Sequence, residues 1–177
     1  MAAQDIATAL QRVETVLRRH PEAGLHDDTP VMARWEGGTR VAARHANGTQ
    51  VLTDMPTQLG GNDDRVTPGW LLRAGLASCA LTGIAMAAAL EGIELGSLEV
   101  QASSRSDLCG LLGVPGTDGQ PVGAEPQGVE LQVRISAPGV SPERLQALVE
   151  DSQRRSPVCC ALQHPVPVVL HIEVVGG

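Results

Sequence analysis

The sequence predicts an α+β fold in which antiparallel sheets pack on two central helices. Three observations support this fold class. Short strand-like runs separated by turn signals fill residues 31–55, a long apolar run after Thr67 predicts a buried helix, and apolar residues alternate over 129–135. No internal repeat or linker divides the 177 residues. We therefore predict one domain.

The first elements are an amphipathic helix and three strands. The helix is predicted over residues 5–19, before Pro21, because apolar residues recur there at helical spacing: Ile6, Leu10, Val13 and Leu17. An antiparallel meander should follow, with a two-residue hairpin turn at Asn47-Gly48 between its last two strands. Its three strands are predicted over residues 31–36, 39–46 and 49–55.

A long central helix is predicted from Pro68 to about residue 91. Thr67 supplies an N-cap, Pro68 suits the first helical position, and Gly92 can end the helix in a left-handed conformation. Small and apolar residues occupy nearly every face between Leu76 and Leu90. This pattern predicts a helix that is surrounded by protein on all sides.

The second half of the chain alternates strands and helices. Strands are predicted over 97–103 and 129–135, on either side of a Gly- and Pro-rich excursion over residues 107–128. Ser141-Pro142 begins another helix, a short helical turn carries Cys159 and Cys160, and a final strand is predicted from about residue 167.

Composition excludes several function classes. The net charge is −7, all 13 basic residues are Arg, and neither Phe nor Tyr is present. Such a chain should repel nucleic acid and anionic membranes, it offers almost no aromatic surface for base stacking, and it cannot form a Schiff base through lysine. We predict a cytoplasmic protein without a transmembrane segment, whose four cysteines stay reduced.

The cysteines are the candidate functional residues. Cys79 is either a small residue in the core or a working thiol, which would need a nearby Arg to lower its pKa, and the candidates are Arg40, Arg44, Arg73 and Arg154-Arg155. Cys159 and Cys160 are small residues on a short helix or thiols that meet a distant partner. Together with His164 and His171 they lack the spacing of a structural zinc site. Asp27-Asp28 and Asp63-Asp64 are predicted to be solvated loop charges.

Two segments resemble a known family. The stretch TPGWLLRAGLASCALTGIAMAAALEGIEL is similar to the central cysteine helix of the OsmC/Ohr family, and RRSPVCCALQHPVPVVLHIEV is similar to its C-terminal segment. The resemblance covers roughly residues 31–175. It implies an OsmC-like domain over residues 31–177, preceded by an N-terminal helical extension over residues 1–30 that is not part of it. It implies two antiparallel sheets around two long helices, in an intertwined homodimer with its site at the dimer interface.

The resemblance also implies a chemistry, with two departures. Many members reduce organic hydroperoxides through a cysteine that matches Cys79, is held as a thiolate by an Arg, and becomes a sulfenic acid. Arg40 is the better match for that Arg. The family's second cysteine precedes the Pro-Val step, where this chain has Ser156, and the family's Glu after the helix-opening proline is replaced by Gly69.

The sequence therefore supports two functions of different classes. The first is an antioxidant, stress-response thiol peroxidase without a cofactor, in which Cys79 reacts with an organic hydroperoxide, Cys159 or Cys160 resolves the sulfenic acid, and an external thiol is the reductant. A one-cysteine variant would use the external thiol to resolve the sulfenic acid directly. The second is a non-catalytic dimer that binds a small apolar molecule or senses redox state through Cys79.

Overall fold

A computed structural model describes residues 3–164 and 166–176 of the chain. The predicted N-terminal extension and domain also contain residues 1, 2, 165 and 177, which lie outside the described part. Five α-helices and five strands follow one another in the described part, with short 3₁₀ helices at Pro21–Gly24 and Thr57–Leu59 between them. In chain order they are α1 (Ala3–Arg19), β1 (Met32–Gly37), β2 (Arg40–Arg44), β3 (Gln50–Thr53), α2 (Pro68–Leu90), β4 (Ser97–Arg105), α3 (Leu108–Leu112), β5 (Gln127–Ser136), α4 (Pro142–Gln153) and α5 (Pro157–Gln163).

Strands β1, β2 and β3 form the predicted antiparallel meander. The turn between β2 and β3 is longer than the predicted two-residue hairpin, because side chains in the turn bind its own backbone. The Asn47 Oδ1 atom accepts the N–H of Thr49 at 2.9 Å, and His45 Nδ1 accepts the N–H of Asn47 at 3.1 Å. Gly48 adopts a φ of 91°, as the turn requires.

The ends of α2 form as the sequence predicts. The Thr67 hydroxyl accepts the N–H of Trp70 at 3.2 Å, and Pro68 occupies the first turn. At the other end, Gly92 has a φ of 67° and donates its N–H to Ala89, while Ile93 donates to Ala88. These local signals confirm the predicted helix and fix where it begins and ends.

The core lies where α2 and α4 pack on the sheet of β4 and β5. Ile84, Ala87 and Ala88 of α2 are buried against Leu148 of α4. Alternate apolar residues of both strands pack against this cluster: Leu98, Val100, Val133 and Ile135. Helix α4 begins as predicted, because the Ser141 hydroxyl accepts the N–H of Arg144 at 3.3 Å.

By length and composition alone, α2 could cross a membrane, and it is the one helix of the described residues that meets this criterion. The core helix of a globular domain meets the same criterion. Helix α2 contacts α1, α4, α5 and β4, as expected of a core helix. That the chain has no transmembrane segment stays a prediction.

The expectation that protein surrounds α2 on all sides is wrong for the single chain. One stripe of the helix is exposed, with helical spacing, and consists of Leu72, Gly75, Ser78, Thr82, Met86 and Leu90. We call these six residues the α2 stripe. The sequence shows that a face is apolar, but it does not show which element covers that face.

The predicted final strand is also absent from the single chain. Residues 166–176 belong to no helix or strand among the described residues, and Val168, Leu170 and Val174 are 92%, 78% and 88% exposed. A strand requires an edge with which to pair, and neither described sheet takes up this segment. The excursion over 107–128 contains the short helix α3, which the sequence analysis did not predict.

Candidate functional site

The structure brings Cys79 of α2 against the start of α5. The Cys79 Sγ atom lies 3.3 Å from the Ser156 Oγ atom, and either atom can donate the hydrogen bond. Ser156 is the N-cap residue of α5, yet its hydroxyl does not cap that helix. The hydroxyl is buried against the thiol instead, and Ser156 is 2% exposed whereas Cys79 is half-buried. The position at which the family carries its second cysteine therefore touches Cys79.

The two adjacent cysteines have different surroundings. The Cys160 thiol donates to the carbonyl oxygen of Arg154 at 3.5 Å. The Cys159 thiol lies close enough to Cys79 for their charges to interact. Burial raises the pKa of Cys159, and the neighbouring charges of Cys160 and Cys79 raise it further. All four cysteines are free thiols.

A cavity of about 520 Å³ opens beside Cys159, between α2, α5 and the end of the excursion. Its walls are aliphatic and contain no aromatic side chain. Two polar side chains, Glu125 and Gln163, also line it. The apolar lining consists of Leu76, Pro126, Val129, Leu131 and Leu162. Such a cavity suits a small molecule with an alkyl body.

The structure places Arg40, the predicted thiolate-stabilising residue, in an ion-pair cluster. Its Nε atom lies 3.3 Å from Asp54 Oδ2, and its Nη2 atom donates to Asp64 Oδ2 at 2.6 Å. Asp64 is therefore an ion-pair partner, although the sequence suggested a solvated charge. These contacts do not involve Cys79, and the proposed role of Arg40 at the thiol stays a prediction.

Asp54 is the buried centre of this cluster. Its carboxylate accepts the Thr39 hydroxyl at 2.5 Å, the backbone N–H of Met55 at 2.8 Å and that of Asn62 at 3.1 Å, in addition to Arg40. These hydrogen bonds, that of Thr39 above all, hold the pKa of Asp54 well below its usual range although burial opposes them. The Asp54 side chain thus fastens the loop after β3 to the start of β2.

The other candidate arginines have different partners. Arg44 pairs with Glu36 at 3.7 Å, Arg73 donates to the Ser104 hydroxyl at 3.3 Å, and Arg154 pairs with Asp151. Among the residues that the structure describes, no group of three or more His, Cys, Asp or Glu side chains could hold a metal ion. The site is therefore built from thiols, a hydroxyl and an aliphatic cavity.

Sequence reasoning missed three residues of this region. No sequence pattern indicated that Asp54 and Thr39 form a hydrogen bond, because they are 15 residues apart and only the fold of the meander brings them together. Glu125 lies in a Gly- and Pro-rich segment whose path the sequence does not define. Ser156 was noted only as a departure from the family, and its contact with Cys79 spans 77 positions.

The fold and the cysteine of the central helix define an OsmC-type protein. A model of the family described as OsmC-like protein matches residues 61–171. The chain belongs to the OsmC-like family. No curated protein matches the sequence.

Solved structures share the fold at low sequence identity. An OsmC-like protein from Mycoplasma pneumoniae has a TM-score of 0.65 and 18% identity, covering 80% of this chain and 91% of its own. An OsmC-like protein of unknown function from Vibrio cholerae has a TM-score of 0.60 and 13% identity, covering 77% and 94%. An organic hydroperoxide resistance protein from Elizabethkingia anophelis has a TM-score of 0.56 and 23% identity, covering 80% and 93%. These similarities show the fold.

The depressed pKa of Asp54 makes stability depend on pH in a definite direction. A carboxyl group whose pKa is lower in the folded state stabilises the fold above its unfolded pKa, about 3.9 for Asp, and this contribution is lost as the pH falls. We expect Asp54→Asn to lower the thermal midpoint at pH 7 by about 5 °C and to reduce the loss of stability below about pH 5. Thermal unfolding followed by circular dichroism across that range measures both effects.

Asp27→Asn is the matched control, because Asp27 is exposed in a loop. It removes the same charge without removing buried hydrogen bonds. Equal midpoints and equal pH profiles for the two variants would show that Asp54 does not fasten the loop.

Proposed function

We propose that this protein is a thiol-dependent peroxidase that reduces organic hydroperoxides, with Cys79 as the peroxidatic cysteine and Cys159 as the resolving cysteine. The contact between Cys79 and Ser156 carries the proposal, because it joins the central helix to the segment that holds Cys159. Family membership and the names of several solved relatives, which are organic hydroperoxide resistance proteins, give additional support.

In the first step, the Cys79 thiolate attacks the outer oxygen of the hydroperoxide ROOH. An S–O bond forms, the O–O bond breaks, and the leaving alkoxide takes a proton to give the alcohol ROH. The sulfur of Cys79 is oxidised to sulfenic acid and the peroxide is reduced by two electrons. The buried Ser156 hydroxyl can donate a hydrogen bond to the thiolate and stabilise it before the attack.

In the second step, the Cys159 thiol attacks the sulfur of the Cys79 sulfenic acid. An S–S bond forms, and the sulfenic oxygen leaves as water with the thiol proton. An external dithiol then reduces the disulfide and returns both thiols. Because the pKa of Cys159 is raised, its thiol reacts poorly with peroxide, so it is not the cysteine that the hydroperoxide oxidises first.

The same proposal includes a homodimer. The α2 stripe, the Val- and Leu-rich segment over 166–176, and Trp35 of β1, which is 74% exposed, are apolar surfaces that the single chain leaves uncovered. A second copy that took up the terminal segment at a sheet edge would cover such surfaces and complete the missing strand. A partner subunit would also provide a second Arg40 that could approach Cys79.

A non-catalytic function is the second candidate. In the single chain, the Arg40 guanidinium forms ion pairs with two carboxylates, those of Asp54 and Asp64. In addition, Ser156 provides a hydroxyl at the position that the resemblance matches to a second thiol. If Cys79 does not ionise, the cavity beside Cys159 would bind a small apolar molecule without turning it over. Reactivity of Cys79 separates the two candidates.

Replacing Cys79 by Ser is expected to lower peroxide consumption by at least about a hundred-fold, because the attacking thiolate is removed. The measurement is the loss of cumene hydroperoxide in the presence of a dithiol reductant. Cys109→Ser is the matched control and should retain activity, because Cys109 lies in the excursion and its pKa is raised by burial and by Asp107. Unchanged turnover in Cys79→Ser would rule out the proposed mechanism.

The two adjacent cysteines should behave differently when each is replaced by Ser. After one equivalent of hydroperoxide, Cys159→Ser should accumulate a trappable sulfenic acid at Cys79, whereas Cys160→Ser should still form the Cys79–Cys159 disulfide. Peptide mapping by mass spectrometry with a sulfenic-acid trap distinguishes these products. A trapped sulfenic acid in the unmodified protein, with no disulfide, would assign resolution to the external thiol.

The homodimer predicts a solution mass twice the 18.4 kDa of the chain. Met86→Glu places a charge in the α2 stripe and should shift the mass measured by light scattering toward that of one chain. Gln11→Glu adds the same charge on an exposed position of α1 and should leave the mass unchanged. A monomeric mass for the unmodified protein at micromolar concentration would contradict the dimer.

A further inference from the structure

Glu125 is the one acidic residue among the described residues that line the mostly aliphatic cavity beside Cys159. Glu125 lines it together with Leu76, Leu131 and Leu162, and Gln163 is the other polar side chain. Leu76 lies three residues before Cys79 on α2 and is 2% exposed. Glu125 is exposed, and its carboxylate lies beside Gly123, next to this cavity.

No cation neutralises the carboxylate in the described structure. None of the residues that line the cavity is an arginine or a histidine. Within the described part of the chain, Glu125 has neither a salt bridge nor a hydrogen bond. The chain has an excess of seven negative charges, so its overall field does not offset this carboxylate.

The position of Glu125 in the chain keeps it at the cavity. Pro126 follows it and restricts its backbone to extended conformations. Strand β5 begins at Gln127, and Val129 and Leu131 of that strand line the same cavity. Glu130 lies between these two residues and therefore points to the opposite face of the strand, where it lines a different surface with Gln101 and Ser103.

We propose that Glu125 is a specificity-determining residue, which makes the protein select neutral alkyl hydroperoxides over hydroperoxides that carry a carboxylate. This inference rests on the proposed peroxidase function. The aliphatic walls contact the alkyl body of either substrate in the same way. An anionic substrate additionally brings its carboxylate toward the exposed Glu125 carboxylate beside the cavity, and the repulsion weakens its binding.

The test compares a medium-chain hydroperoxy acid with its methyl ester, which differ in charge but hardly in shape. The ester should have the higher kcat/KM at low ionic strength, by about five-fold. Two like charges a few ångströms apart in water repel each other strongly enough to weaken binding by about this factor. The difference should shrink as salt is added. Glu125→Gln should raise kcat/KM for the acid relative to that for the ester by a similar factor, so that the preference for the ester is lost.

Glu130→Gln is the matched control, since it removes one negative charge from the neighbouring strand face without changing the cavity. An equal effect of Glu130→Gln and Glu125→Gln would overturn the inference, because net charge would then explain the preference. Equal kcat/KM values for acid and ester in the unmodified protein would also overturn it, while leaving the peroxidase function intact.

A second readout does not require turnover. Occupancy of the cavity should protect the Cys159 thiol from alkylation, so 1-octanol should protect it at a lower concentration than octanoate, and Glu125→Gln should remove that difference. Absence of turnover on every hydroperoxide would refute the proposed function alone. Equal protection by the alcohol and the acid would refute the role of Glu125 whether or not turnover occurs.

Discussion

The close packing of α2 against α4 and the second sheet is the constraint on which the rest of the structure depends. Ala87 and Ala88 let the helix backbone approach its neighbours, and Ile84 fills the space beside Leu148. Helix α4 ends three residues before Ser156, so the position of α4 determines where α5 begins. The Cys79–Ser156 contact is therefore a consequence of core packing rather than of the short helix itself.

This geometry places the Ser156 hydroxyl where it can act on the Cys79 thiol. A cysteine there would lie in direct contact with Cys79, whereas the serine leaves a hydroxyl 3.3 Å from the thiol. The hydroxyl cannot form a disulfide, but it can donate to a thiolate. Cys159 lies further along α5, beside the cavity, and any movement that a Cys79–Cys159 disulfide needs would have to come from a shift of α5 or a loosening of its first turn. Helix α5 has only seven residues and no side-chain cap, so such loosening costs little.

How well the sequence predicted each part depends on how local its cause is. The ends of α2 and α4 were predicted because Thr67-Pro68, Gly92 and Ser141-Pro142 act on the adjacent backbone. The final strand, predicted from about residue 167, is absent from the single chain, because a strand there depends on an edge that the single chain does not supply. The partners of Arg40 and Ser156 could not be predicted either, since they are distant in sequence and only the fold brings them together.

Asp54 and Asp64 restrain the Arg40 side chain, although the chain lacks the Glu that the resemblance leads us to expect after Pro68. Asp54 is 1% exposed and receives hydrogen bonds from Thr39 and two backbone N–H groups before Arg40 adds its own. A carboxylate fixed in this way does not move, so the guanidinium that it binds is restricted as well. Asp64 occupies a second edge of the guanidinium and is more exposed. An approaching thiolate would therefore compete with Asp64 rather than with Asp54, and the arginine could exchange that one partner while the other keeps it in place.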